Sequence, residues 1–242
     1  MIYRTHGFQK VFLSAVTLIV LGVAASAVSA DQVFAVSGNI SGTGPVSATA
    51  TFHQSGSNLL QISLQNLQAT SNVGQSVSGI QFQICDSTGN VLNITGSITT
   101  QNNSMFTVDA NGVVTDLGVL QSGWGLSSNG PSFSLTALGF TGQGTDPADE
   151  AILGTLSNPN GSITGNGAHN PFIDQTGVFS LTLSSNLPVG FQIRNVVVLF
   201  GTGPDSVLAA PVPEPATMFL FGAGLVGLAS RLRKRKARKA LK

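Results

Sequence analysis

Few residues between positions 31 and 211 could carry acid–base, nucleophilic or metal chemistry, and they are dispersed. The carboxylates are Asp31, Asp86, Asp109, Asp116, Asp146, Asp149, Glu150, Asp174 and Asp205; with them stand His53, His169, Cys85 and Arg194. Nucleophilic catalysis needs a base within reach of its Ser or Cys, and neither histidine sits in a recognisable partner motif. His53 ends an apparent strand, Ala48 to His53, and His169 lies in a Gly/Asn loop. No histidine pair has metal-ligand spacing, no G-x-S-x-G elbow occurs, and no Gly-rich loop leads from a strand into a helix. Only Asp146, Asp149 and Glu150 cluster. Calcium favours several oxygens, but the run lacks the D-x-[DN]-x-[DN]-G spacing and reads instead as a capped turn, with Asp146 before Pro147 and an apolar run at Ala151 to Leu153. No cofactor and no metal is expected, and the chain reads as a non-enzyme.

Three single residues invite a ligand reading. Trp124, the one tryptophan, stands between Gly123 and Gly125 and could be a sugar-stacking contact; the competing reading is a large residue plugging one end of the core. Arg194 is the one cation of the segment and is expected on an exposed strand face beside a carboxylate. Cys85 is the one cysteine of the chain, so no intrachain disulfide can form, and it is expected as a small strand residue on the polar face.

The elements that must position these residues are strands. In Leu60–Leu64, Ile80–Ile84, Phe133–Ala137 and Phe179–Leu183 apolar and polar residues alternate, which buries one face of each. The run from Phe191 begins in alternation and then turns apolar on both faces over Val196–Phe200, as in a central strand covered on both sides. Asp86 to Asn90, Asp109 to Gly112, Asn129 to Pro131 and Asn158 to Gly161 carry turn chemistry: Asp or Asn side chains that bond nearby backbone, and Gly for positive φ. No stretch keeps a 3.6-residue apolar period. The expectation is an all-β domain over residues 31–204 with eight to ten strands, a sandwich of jelly-roll or immunoglobulin-like type rather than a closed barrel, followed by a linker at 205–211.

Charge divides the chain. Of eleven Lys and Arg, Arg4 and Lys10 precede the first apolar run, eight fall from Arg231 to Lys242, and Arg194 stands alone between. One cation against nine acids leaves residues 31–211 at net −8, without any Lys, which argues against nucleic acid as a partner. Residues 1–30 combine a charged start, an apolar run and small residues at Val28 to Ala30; they read as a secretory signal helix cut between Ala30 and Asp31, with a cut after Ala27 as the alternative, handled by Sec-type export machinery. Residues 216–232 form an apolar stretch that as a helix spans about 25 Å, slightly short of a bilayer core of about 30 Å. The basic tail of residues 231–242, with Arg231, Arg233, Lys234, Arg235 and Lys236 at its start, holds that end in the cytoplasm. The acidic domain then lies across the membrane, in agreement with the signal peptide.

Just before the apolar helix stand Pro213, Glu214 and Pro215. Each proline fixes its own φ and restrains the residue before it, so the tripeptide is extended and accessible to a processing enzyme's cleft. The order of Val212-Pro-Glu-Pro215, Gly-containing apolar helix and Arg/Lys cluster resembles the PEP-CTERM sorting signal of bacterial exported proteins, over residues 212–236. The resemblance implies a Gram-negative-type envelope and an exosortase, a membrane-embedded cysteine protease, that recognises Pro213, Glu214 and Pro215. It further implies an inner-membrane-anchored precursor with a periplasmic ectodomain, later at the cell surface or outside the cell, in association with extracellular polysaccharide and biofilm. The rival expectation is a permanently anchored periplasmic carbohydrate-binding protein.

Overall fold

A computed structural model of the chain describes residues 30–129, 131–138, 149–202 and 206–211. The signal helix, the turn at Asp146 and the entire tail, including residues 216–232, lie outside the described residues. Among the described residues no helix is long and apolar enough to cross a membrane.

The described chain is all-β. Its strands are β1 (Gln32–Ile40), β2 (Gly44–Gln54), β3 (Leu59–Asn66), β4 (Val77–Cys85), β5 (Gly96–Thr100), β6 (Asn102–Val108), β7 (Val114–Gln121) and β8 (Gly125–Asn129). They continue with β9 (Ser132–Thr136), β10 (Ile152–Leu153), β11 (Phe172–Asp174), β12 (Thr176–Leu183), β13 (Gln192–Phe200), β14 (Ser206–Leu208) and β15 (Ala210–Pro211). One sheet runs β15-β1-β2-β3-β12-β5. The other runs β14-β13-β4-β10-β11-β6-β7, and β9, backed by β8, shares the far edge of β4 with β10. The alternation found in the sequence places the core as expected: Leu60, Ile62, Leu64, Ile80, Phe82, Ile84, Phe133, Leu135, Phe179, Leu181 and Leu183 are all buried.

The two sheets pack face to face through a row of rings. Phe34 and Phe52 of the first sheet meet edge to face at 5.7 Å, Phe52 meets Phe82 of the second at 5.0 Å, and Phe82 stacks on Phe133 at 5.1 Å. Such ring pairs add about 0.5–1.5 kcal/mol each beyond area burial. A smaller core of Phe106, Val108, Leu153, Ile163 and Phe172 lies under the loops beside β11. Between the sheets, buried Asn66 donates from Nδ2 to the carbonyls of Gln75 and Ile152 at 2.9 Å each and accepts from the Gln68 N–H at 3.0 Å, so its amide is fully used.

Several expectations are corrected here. There are fifteen described strands rather than eight to ten; four of them, β10, β11, β14 and β15, have only two or three residues and are too short to show a period. Cys85 ends β4 two residues on from Gln83, on the Gln side as expected, yet it is buried: the chain turns at Asp86 to Asn90 and returns, bridging Val91 to Cys85. Residues 206–211 are not a linker. β14 pairs with β13 (Val197↔Leu208) and β15 with β1 (Phe34↔Pro211), and Pro211 is tolerated there because β15 is an edge strand.

Candidate functional site

The end of the described chain is pinned at one corner of the sandwich, where its beginning lies too. Pro211 pairs with Phe34 and Ala210 with Ala35, while the Ala209 N–H donates to the Val196 carbonyl at 2.9 Å. Gln32 clamps β1 to the opposite sheet: its Nε2 donates to the Phe191 carbonyl at 3.2 Å and its Oε1 accepts from the Ile193 N–H at 2.7 Å. Ala30 and Asp31, the residues flanking the expected signal cleavage, open the described chain and are exposed. Asp31 Oδ1 lies 2.6 Å from His53 Nδ1, which fixes the first residue of the domain to β2. A groove of about 490 Å³ runs along this corner, lined among others by Asp31, Phe34, Arg194, Val196 and Pro211. The groove is mostly a seam between strands.

Arg194 lines that groove but is not held by a carboxylate. Its Nε and Nη2 both donate to Gln192 Oε1, at 3.1 and 2.7 Å, and its guanidinium lies over Gly89. The correction has a local cause: residues two apart on a strand share a face, which puts the amide of Gln192 beside the guanidinium.

Trp124 is 2% exposed. Its ring lies 4.6 Å from Phe179, and Nε1 donates to the Glu150 carbonyl at 2.9 Å. The residue plugs the core, as one of the two sequence readings has it, and presents no ring face to a sugar. Glu150, in turn, adopts a left-handed backbone (φ 59°), and its carboxylate accepts from the Gly123 N–H. Burial pushes the Glu150 carboxyl above its ordinary pKa; the Gly123 bond works against this and the charge of Asp149 adds to it.

Asp86 and Asp109 serve turns. Asp86 Oδ1 accepts from the Thr88 hydroxyl and from the N–H groups of Thr88 and Asn90, and Thr88 with Asn90 brings its carboxyl down to about 2. Asp109 Oδ1 likewise accepts from Val113 and Asn111, which lowers its pKa. Asp116 and Asp174 both line a smaller groove of about 320 Å³ between β6, β7 and β11. Asp116 is committed there to the Gly118 N–H at 2.8 Å. His53 stands on β2, whereas His169 lies in the 3₁₀ turn Gly167–His169, outside both sheets. Among the described residues no group of three or more His, Cys, Asp or Glu could hold a metal ion.

The expected sorting tripeptide Pro213, Glu214, Pro215 and the basic residues Arg231, Arg233, Lys234, Arg235 and Lys236 lie outside the described residues. What the sequence reading missed is how closely the folded domain approaches them. Pro211 is already in a sheet, and no periodicity could reveal a two-residue strand.

Comparison with known proteins adds one finding. Residues 211–235 match the family model of the PEP-CTERM protein-sorting motif. The match marks an exported protein with a C-terminal membrane-anchor signal and implies an exosortase as its processing partner. No curated protein and no solved structure matches the chain.

Proposed function

We propose that this chain is a non-enzymatic matrix or cell-surface protein. It is exported by Sec-type machinery with loss of residues 1–30 and held transiently in the inner membrane by residues 216–232, with its ectodomain in the periplasm. An exosortase then recognises Pro213, Glu214 and Pro215, and the acidic β-domain is displayed in extracellular polysaccharide. The match over residues 211–235 carries this reading. The corner geometry supports it: Asp31 and Pro211 line one groove, so both membrane-directed segments leave the same end of the domain. The domain can therefore complete its sheet while both segments are still in the bilayer.

Replacing Glu214 by Ala tests the sorting role. Retention of the uncut precursor in the membrane fraction is the expected outcome; unchanged release would show that Glu214 is not what the protease recognises, and a wild type that is never released supports permanent anchoring instead. A non-enzymatic role is supported by the way the acids are spent on turns and by the burial of Trp124. Asp116 and Asp174, which share a groove, are the pair to challenge it: Asp174→Asn is expected to leave every glycan substrate pool unchanged, and a lost hydrolytic activity would overturn the reading.

A further inference from the structure

The most anomalous surface of the described chain is β7. All eight of its residues are exposed, and Val114, Leu117, Val119 and Leu120 are exposed large hydrophobics, with Val113 just before them. β7 is the terminal strand of its sheet, paired only to β6, so one full edge of backbone N–H and C=O groups is open over about 27 Å at 3.4 Å per residue. Long apolar edges invite another strand, and proteins normally blunt them with Lys, Pro, a bulge or a short length. The other terminal strands here are short: β15 has two residues, β14 three, and β5 and β8 five each. β7 has eight residues, no Pro and no Lys; residues 31–211 contain no Lys at all. Its one device is a bulge at Leu117, between the pairs Met105↔Gly118 and Phe106↔Asp116.

We propose that β7 is the contact by which two copies of this chain associate, edge to edge and antiparallel, through a two-fold axis near Gly118. Three observations select a second copy. An open strand edge of this length needs an equally long open edge, and among the described strands only β7 itself offers one. Elsewhere the domain is acidic, so two copies repel; on β7 there is one carboxylate, Asp116, whose Oδ1 already accepts from Gly118. An axis at Gly118 sets Leu117 against Val119 and Asp116 against Leu120, so no like charges are opposed. Nothing lies within 4 Å of the position a Cβ would take on Gly118, which leaves the crossing point clear. Eight residues are fewer than the roughly 20–30 a side of a standard interface, so the contact is weak in solution and gains from the high local concentration of displayed copies.

This inference goes beyond sorting and does not depend on whether the tail is cut. The test is sedimentation of the full chain in detergent and of the form released from cells, for the wild type, Val119→Lys and Val189→Lys. Val189 is 87% exposed in the turn before β13, so it matches the charge change away from the strand. Expected is a concentration-dependent dimer for the wild type and Val189→Lys, and dissociation at least about tenfold easier for Val119→Lys, with its thermal transition unchanged. A monomeric wild type at high micromolar concentration overturns the proposal, as does equal weakening by both lysines. Vesicle binding lost in Val119→Lys without any dimer also overturns it, and assigns the strand to lipid.

Discussion

β12 and β7 are both eight residues long, both carry a glycine and both lack any basic residue, yet they meet opposite fates. β12, Thr-Gly-Val-Phe-Ser-Leu-Thr-Leu, buries every second residue in the first sheet, where it is paired on both edges by β3 and β5. β7, Val-Thr-Asp-Leu-Gly-Val-Leu-Gln, buries none at the edge of the second. Length and composition do not separate them; the phase of the apolar residues does. In β12 Phe179, Leu181 and Leu183 fall on one face, whereas in β7 Leu117, Val119 and Leu120 straddle a bulge and cannot all face a core. Alternation predicts burial, and its failure with apolar residues retained predicts a surface that another molecule covers.

The largest effect should come from the buried strand. Phe179→Ala removes the ring on which Trp124 packs and is expected to cost about 3–5 kcal/mol in denaturant unfolding. Val119→Ala on β7 should stay within about 0.5 kcal/mol. Comparable losses from the two would erase the contrast.

Asn66→Ala should cost about 1–3 kcal/mol for each buried carbonyl left without its donor, those of Gln75 and Ile152. A midpoint within error of the wild type would show that water replaces the amide there.

The two glycines sharpen the comparison. A Cβ on Gly177 would lie 2.8 Å from Ile152 Cδ1 and 2.9 Å from the Phe179 ring, so Gly177→Ala should cost about 1–3 kcal/mol by overpacking. Gly118 has open space but φ of +73°, so Gly118→Ala should cost about 1–2 kcal/mol through the backbone alone. Shortening a neighbour tells the mechanisms apart, since only the Gly177 cost should fall when Ile152 is replaced by Val.

The smallest effect is set by pH. The folded Asp86 carboxyl titrates at about 2, below its ordinary value of 3.8, so its turn contributes stability above the ordinary value and loses it as pH falls toward 2. Glu150 is shifted the other way by burial, so its contribution is present at low pH and is lost as pH rises through its raised pKa. Unfolding curves of Asp86→Asn should converge with those of the wild type near pH 2 and separate above 4; a constant offset would show that the turn does not depend on the ionised carboxylate.

The core strands were legible because alternation is a local signal. Leu60–Leu64, Ile80–Ile84 and Phe179–Leu183 needed no knowledge of their partners, and the Asp86 and Asp109 turns carry their chemistry within five residues. What escaped depends on partners far along the chain. The burial of Cys85 beside the returning Val91, the partners that Trp124 finds in Phe179 and Glu150, and the pairing of Pro211 with Phe34 are of this kind. The sorting motif was readable for the opposite reason: its order of extended tripeptide, apolar run and cations is itself the signal.

The central claim is that the tail is a temporary handle on an exported domain. Mass spectrometry of the protein recovered from the cell surface and medium tests it most directly. The account predicts a chain that begins near Asp31 and ends close to Pro213-Glu214-Pro215. Surface protein that still carries Arg231 to Lys242 would contradict it.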